Sequence, residues 1–182
     1  GIEVGIQNYD TKEILTIQTH ESFNEAFESE EGELIVRGHC VMKGYYKKPE
    51  ANAETLKDGW LYSGDVAIQD EDGFYFIVDR TKDMIIRGGL NVYPREVEEV
   101  MMQHEAVSLV AVIGVPDEKS GEEIKACVVL KPGATITEKE LMDWTKSKIA
   151  AYKYPRIIQF RDSLPMNATG KIMKKDLKAE TV

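Results

Sequence analysis

Cysteine and histidine are scarce in this sequence, and long apolar runs are missing. Cys40 and Cys127 are too few for a disulfide scaffold and too far apart for a zinc knuckle. His20, His39 and His104 fall in no ligand spacing with them, so no structural metal is expected. No stretch approaches the ~20 apolar residues of a membrane-crossing helix, so no integral membrane segment is expected. Gly1-Ile2-Glu3-Val4 has neither the basic start nor the apolar core of a secretory signal. Basic charge is also short, with a formal balance of -9, which argues against nucleic acid as a partner. A reducing cytoplasm is the expected setting, with peripheral attachment to a membrane as its variant.

What is present is an ordinary folding composition, with 42% hydrophobic and 30% charged residues over 182 positions, enough for one domain or two small ones. The charge is unevenly spread. Residues 1–79 carry 6 basic and 17 acidic side chains, whereas residues 80–182 carry 17 and 15. The second part is therefore the better host for a polyanionic small molecule, and the step near Asp79-Arg80 is a candidate boundary.

The first part reads as short strands and turns. Glu33–Arg37 has strand composition between Gly32 and Gly38, and Asp70-Glu71-Asp72-Gly73 is a hairpin signal between Val66–Ile68 and Phe74–Val78. Residues 21–31 are acidic and read as an exposed loop or short helix. In the second part, Met84–Ile86 is a short strand before a Gly88-Gly89 turn. Pro94 opens a helix whose one face carries Val97, Val100, Met101 and His104. Strands are expected at Ser108–Val115, Ile124–Leu130 and Arg156–Arg161. Thr137-Glu138-Lys139-Glu140 is a capping box heading a helix with Leu141, Trp144 and Ile149 inward, and a last helix starts at Met173. The fold class expected is α+β: a small, mainly β, barrel-like subdomain followed by a compact α+β sandwich.

Three polar segments could carry chemistry: Tyr62-Ser63-Gly64-Asp65, Asp79–Asp83 leading to Arg87-Gly88-Gly89, and Thr169-Gly170-Lys171. Singly, each has a plain structural reading as a strand end, a solvated linker, a glycine turn or a surface lysine. Gly170-Lys171 is not a Walker loop. Pro165 stands where that motif needs its earlier glycine, and Ile172 where it needs Ser or Thr.

Taken in order, GELIVRGHCVMKGYYKKPEANAETLKDGWLYSGD, GFYFIVDRTKDMIIRGGLNVYPREVEEV and YKYPRIIQFRDSLPMNATGKIMKKDL resemble consecutive motifs of the adenylate-forming superfamily, whose members include acyl-CoA synthetases, peptide-synthetase adenylation domains and luciferases. The wording GGLNVYPREVEE is closest to the fatty-acyl and medium-chain CoA ligases. The resemblance implies a two-step reaction in which a carboxylate attacks the α-phosphate of ATP, and the thiol of coenzyme A then takes the acyl group from the adenylate. It implies residues 1–79 as the C-terminal β-rich subdomain of a large AMP-binding domain, 80–83 as a hinge and 84–182 as a mobile C-terminal domain.

By the same resemblance, Asp65 and Arg80 bind the nucleotide. An ionised carboxylate accepts both hydroxyl protons of a cis-diol, and a guanidinium fork suits ribose and phosphate oxygens. Lys82 falls at the hinge position, which is Asp in many relatives. Lys171 matches the catalytic lysine that bridges the carboxylate and the α-phosphate during adenylation. Gly88 and Gly89 leave room for the pantetheine arm of coenzyme A, with Arg87 and Lys119 as further coenzyme A contacts. ATP, coenzyme A and a fatty or other carboxylic acid are the implied substrates. Mg2+ is implied as the cofactor, with no ligands for it in this chain. The family's phosphate loop, acyl pocket and adenine-binding segment would lie upstream of Gly1 in a missing N-terminal domain, so the chain alone is expected to release no pyrophosphate. The alternatives are an aryl-CoA ligase, an adenylation enzyme that loads a carrier protein, an enzyme with oxygen as acceptor, or a non-catalytic nucleotide- or partner-binding module.

Overall fold

Alternating apolar residues and glycine-bounded turns dominate residues 1–82, and the computed structural model accordingly forms one antiparallel sheet there. It describes residues 1–8, 11–19, 31–70 and 72–180. The expectation for residues 21–31 therefore lies outside the described residues, except for Glu31, which opens a strand. The chain divides into two compact units, Gly1–Lys82 and Asp83–Val182. This division lies slightly beyond the step in composition at Asp79-Arg80.

The first unit contains β1 (Ile2–Gln7), β2 (Ile14–Thr19), β3 (Glu31–Gly38), α1 (Pro49–Thr55), β4 (Leu56–Lys57), β5 (Trp60–Gln69) and β6 (Tyr75–Arg80). The sheet order is β2-β1-β3-β5-β4, with β6 also paired to β5. Ile6, Ile35, Trp60, Val66 and Ala67 are buried in this unit. The expected hairpin is present but longer. Asp70 builds its turn, its Oδ1 accepting from Asp72 N (3.1 Å) and Phe74 N (2.8 Å). β1, β2, β4 and α1 go beyond the expected elements. β4 is too short for alternation to show, and the buried Gly5 interrupts the pattern of β1.

The second unit contains β7 (Ile85–Arg87), β8 (Leu90–Val92), α2 (Pro94–Met102), β9 (Val107–Asp117), β10 (Gly121–Leu130), α3 (Glu138–Lys146), β11 (Ile157–Phe160) and α4 (Lys174–Ala179). β10 is central. β9 pairs antiparallel along its whole length, while its other side takes β7 at Gly121 and parallel β11 at Lys125–Val128.

Because side chains alternate across a strand, β9 and β10 feed two cores. Val110, Val112, Ile124, Ala126 and Val128 pack with Val97 and Met101 of α2 and Leu141 of α3. Ala111, Ile113, Val115 and Cys127 pack on the opposite side with Leu164 and with Leu177 of α4. Burying each such Leu contributes roughly 1.5–3 kcal/mol, and Leu177 is the residue through which α4 is held. The result is a strand-rich mixed α/β chain, as the composition and patterning led one to expect.

Three details differ from expectation. α2 ends at Met102, so His104 lies past it, where its Nδ1 accepts from Ala106 N (3.1 Å). α3 ends at Lys146, so Ile149 lies beyond it. Ile149 still packs against the core from there, and within α3 Thr145 is buried, its hydroxyl donating to Leu141 O (2.8 Å), which lets a polar residue sit in the core. Gly88-Gly89 joins two strands rather than a strand and a helix.

Candidate functional site

In the first unit, Tyr62–Asp65 interrupts the regular register of β5. Tyr62 pairs with Ile35 but Val66 with Glu33, so β5 carries two extra residues across this stretch. Such a bulge re-aims the side chains on it. Gly64 has φ +73°, a left-handed conformation that a side chain disfavours, and no atom would crowd a Cβ there, so the backbone alone demands glycine. Glu33 accepts from Gly64 N (3.0 Å) and Thr81 N donates to Gly64 O (3.0 Å), which pins the bulge to the neighbouring strand and to the residue after β6.

On the other side of β5, Asp65 lies directly opposite Arg80 of β6. Arg80 Nε donates to Asp65 Oδ1 at 2.9 Å, with the side chains 43% and 30% exposed. A pair this wet contributes little to stability, so its value lies in holding a carboxylate and a guanidinium side by side at the surface. Lys82, two residues on, is exposed.

In the second unit, Arg87 pairs with Leu90 across a two-residue loop, and Gly88 (φ +59°) and Gly89 (φ +80°) take the successive positive φ values of a type I′ hairpin turn. A second turn lies against it. Asp117 Oδ1 accepts from Lys119 N (3.0 Å), Ser120 N (2.8 Å) and Ser120 Oγ (2.7 Å), and Gly88 N donates to Ser120 O (2.8 Å). The hydroxyl of Ser120, with the two backbone donors, holds the Asp117 carboxyl below its ordinary range. The fold thus brings together Gly88, Gly89 and Lys119, which lie far apart in sequence, and all three are exposed.

Arg87 behaves differently from the sequence expectation. Its fork is engaged by Glu123, with Nε to Oε1 at 2.6 Å and Nη2 to Oε2 at 2.9 Å, and both side chains are largely covered. Burial works against the Glu123 carboxylate, but the bond from Arg87 and the one from Ile124 N outweigh it and hold the group below its usual value. Arg87 therefore anchors β7 to β10 instead of offering an open cation to a ligand.

Lys171 sits on a tight loop. An isolated bridge links Met166 and Ile172, and Asn167 N donates to Lys171 O (2.9 Å). Gly170 has φ +80°, and its N–H donates to Asn167 O (3.0 Å). Ile172 packs on the Leu164–Leu177 core, and Met173 N donates to Pro165 O (2.8 Å). The loop is fastened at its base while Lys171 itself is exposed. Beside it, Lys174 at the start of α4 bonds Glu98 of α2 (2.7 Å), whose Oε1 also accepts from Val112 N (2.7 Å) on the outer side of β9.

Sequence reasoning missed Asn167, Glu33, Asp117 and Glu123, which fix the backbone around the candidate residues. Asn167 and Asp117 had a local signal, since Asn and Asp template turns over the next few residues. The partners Glu33 and Glu123 follow from strand register, which no short motif reveals. Among the described residues no group of three or more His, Cys, Asp or Glu side chains could hold a metal ion. No helix among the described residues is long and apolar enough to cross a membrane.

Residues 96–171 match the family described as the AMP-binding enzyme C-terminal domain. A long-chain-fatty-acid–CoA ligase of Bacillus subtilis (strain 168) is 52% identical over 151 residues, which is 83% of this chain and 27% of that protein. ATP-bound MatB from Rhodopseudomonas palustris superposes with a TM-score of 0.84 at 33% identity, over 99% of this chain and 34% of that one. The o-succinylbenzoate CoA synthetase of Bacillus subtilis, in complex with its acyl-adenylate intermediate, gives 0.81 at 36% identity, over 97% and 34%. The chain thus spans under a third of the length of the curated relative and about a third of the solved ones. Residues 96–171 are an AMP-binding enzyme C-terminal domain, and the chain belongs to the adenylate-forming superfamily, matching the C-terminal part of its acyl-CoA ligases.

Proposed function

We propose that this chain works as the C-terminal part of an ATP-dependent acyl-CoA synthetase that joins a fatty acid to coenzyme A through an acyl-adenylate, releasing AMP and diphosphate. Lys171 is the catalytic residue, Asp65 and Arg80 hold the nucleotide, and residues 80–83, with Lys82, form a hinge between the β-rich subdomain 1–79 and a mobile domain 84–182. The single observation that carries this reading is the exposed Lys171 ammonium on a loop fastened at its base by the Met166–Ile172 bridge and the packing of Ile172. A cation held that way reaches outward without folding back onto its own domain.

In the first step a carboxylate oxygen forms a bond to the α-phosphorus while the bond to the pyrophosphate oxygen breaks. Negative charge grows on the oxygens between the reactants. A positioned ammonium lowers the energy of that charge more than that of the separated substrates, which is the condition for catalysis. Asp65, as an acceptor, takes hydroxyl protons of the ribose diol, and Arg80 donates to nucleotide oxygens once its bond to Asp65 is shared or exchanged. In the second step the coenzyme A sulfur attacks the acyl carbon and AMP leaves with the electron pair. The side-chain-free turn at Gly88-Gly89 gives the thiol arm a path, and Lys119 beside it meets phosphate. Arg87 is left out of this contact because Glu123 occupies its fork.

What supports fatty acid as the substrate is the name borne by the curated relative at 52% identity. The alternative of an aryl-CoA ligase is supported by the o-succinylbenzoate enzyme. The test is a panel of fatty and aromatic acids offered with ATP and coenzyme A to the longer enzyme that contains this chain, read as AMP and thioester. Turnover of fatty acids is expected. Turnover restricted to aromatic acids, or thioester formed only on a carrier protein, would overturn the assignment.

A further inference from the structure

We propose that Asn167 is a positioning residue for Lys171, acting as a side-chain template that sets the direction of the ammonium. This rests on the reading of Lys171 given above. The amide oxygen of Asn167 accepts three hydrogen bonds at once: from Thr169 N (3.0 Å), from Thr169 Oγ1 (2.8 Å) and from Lys171 N (2.9 Å). A carbonyl oxygen has two lone pairs, so this acceptor is saturated. The backbone of Asn167 contributes as well, its N–H donating to Lys171 O (2.9 Å) and its C=O accepting from Gly170 N (3.0 Å). One residue therefore makes five bonds inside a five-residue loop.

These bonds are directed at the peptide of Lys171, whose N–H and C=O are both tied to Asn167. Tying both groups restrains φ and ψ of Lys171 and so the direction in which Cα–Cβ departs, leaving the side-chain torsions free. Without the template the loop would keep its base, because Ile172 stays in the core and the Met166–Ile172 bridge lies outside it. The loop is exposed and makes no core contact of its own at Ala168, Thr169 or Gly170. Loss of the amide should therefore cost orientation rather than folding. Thr169 is the second part of the device, since its hydroxyl donates to the same oxygen and keeps the amide from rotating away.

The test has two arms. In the 182-residue chain, amide exchange at Thr169 and Lys171 is slow in the native protein, fast in Asn167→Ala and slow again in Asn167→Asp, which keeps the acceptor oxygen. Exchange unaltered by Asn167→Ala would overturn the template. In the longer enzyme, Asn167→Ala lowers kcat of adenylation on the order of 10–100-fold, the range expected for a catalytic group displaced by about an ångström. KM for ATP and thioester formation from supplied acyl-adenylate stay as they were, and Asn167→Ser recovers part of the rate. Equal loss of both half-reactions, or a change confined to KM, would refute positioning. Lys171→Ala is run beside it. If that variant adenylates normally, the role of Lys171 falls. If it is inactive while Asn167→Ala is not, only the role of Asn167 falls.

Discussion

Arg87 illustrates how a side chain's meaning is set by its neighbour. In sequence it stands beside Gly88-Gly89 and reads as one more cation for coenzyme A, yet in the fold Gly121 of β10 pairs with Arg87 of β7, and Glu123, two residues along, closes on the guanidinium. The pair is largely shielded, so removing one partner strands the other. Arg87→Ala is expected to destabilise the second unit by about 1–3 kcal/mol, the cost of leaving a covered charged group unpaired. Its pH dependence has a definite sign. The Glu123 carboxyl titrates below its ordinary 4.5 in the folded chain. Its contribution to stability is therefore fully present above that value and is lost as pH falls from 4.5 through the lower folded value. Thermal melts between neutral pH and pH 3 should show a steeper acid decline for the native chain than for Glu123→Gln. Identical slopes would mean that the pair carries no linkage. Nothing in the sequence near Arg87 pointed to this, because the partner lies 36 positions away.

At the scale of elements, the parts that were readable are those specified by adjacent residues. The capping box at Thr137 forms both of its reciprocal bonds, Glu140 N to Thr137 Oγ1 (3.2 Å) and Thr137 N to Glu140 Oε2 (2.9 Å). Pro94 opens α2, and Gly88-Gly89 adopts the two positive φ values its composition allows. Thr137→Ala is expected to cost about 1 kcal/mol, and Thr137→Ser to cost little, measured by urea denaturation. Element ends were less readable. His104 and Ile149 continue an apolar period beyond the last helical turn, and only the fold decides where the helix stops. The bulge at Ser63–Asp65 was unreadable for a related reason. It exists because β3 and β5 differ in register on either side of it, a property of two strands together. Asp65 and Arg80 each stood out through resemblance to a family, but their direct pairing at 2.9 Å needed the register between β5 and β6.

At the scale of the whole molecule, the step in charge near Asp79-Arg80 and the division after Lys82 fall close together in the chain. An acidic, strand-built unit and a near-neutral two-layer unit each bury their own apolar residues. Both hydrophobic clusters of the second unit lie wholly within residues 83–182. That segment expressed alone should therefore fold cooperatively, with coincident loss of far- and near-ultraviolet circular dichroism on heating. Non-coincident curves would mean that its cores need further residues.

The proposed role of the mobile part requires that Lys171 serve the first half-reaction and not the second. The decisive measurement is a single-turnover comparison of Lys171→Ala with the native longer enzyme, following pyrophosphate release and, separately, thioester formation from supplied acyl-adenylate. The loss of adenylation should be roughly 10²–10³-fold, as when a charge-stabilising donor is removed, while thioester formation proceeds unchanged. Undiminished pyrophosphate release, or parallel loss of both steps, would contradict the assignment of Lys171.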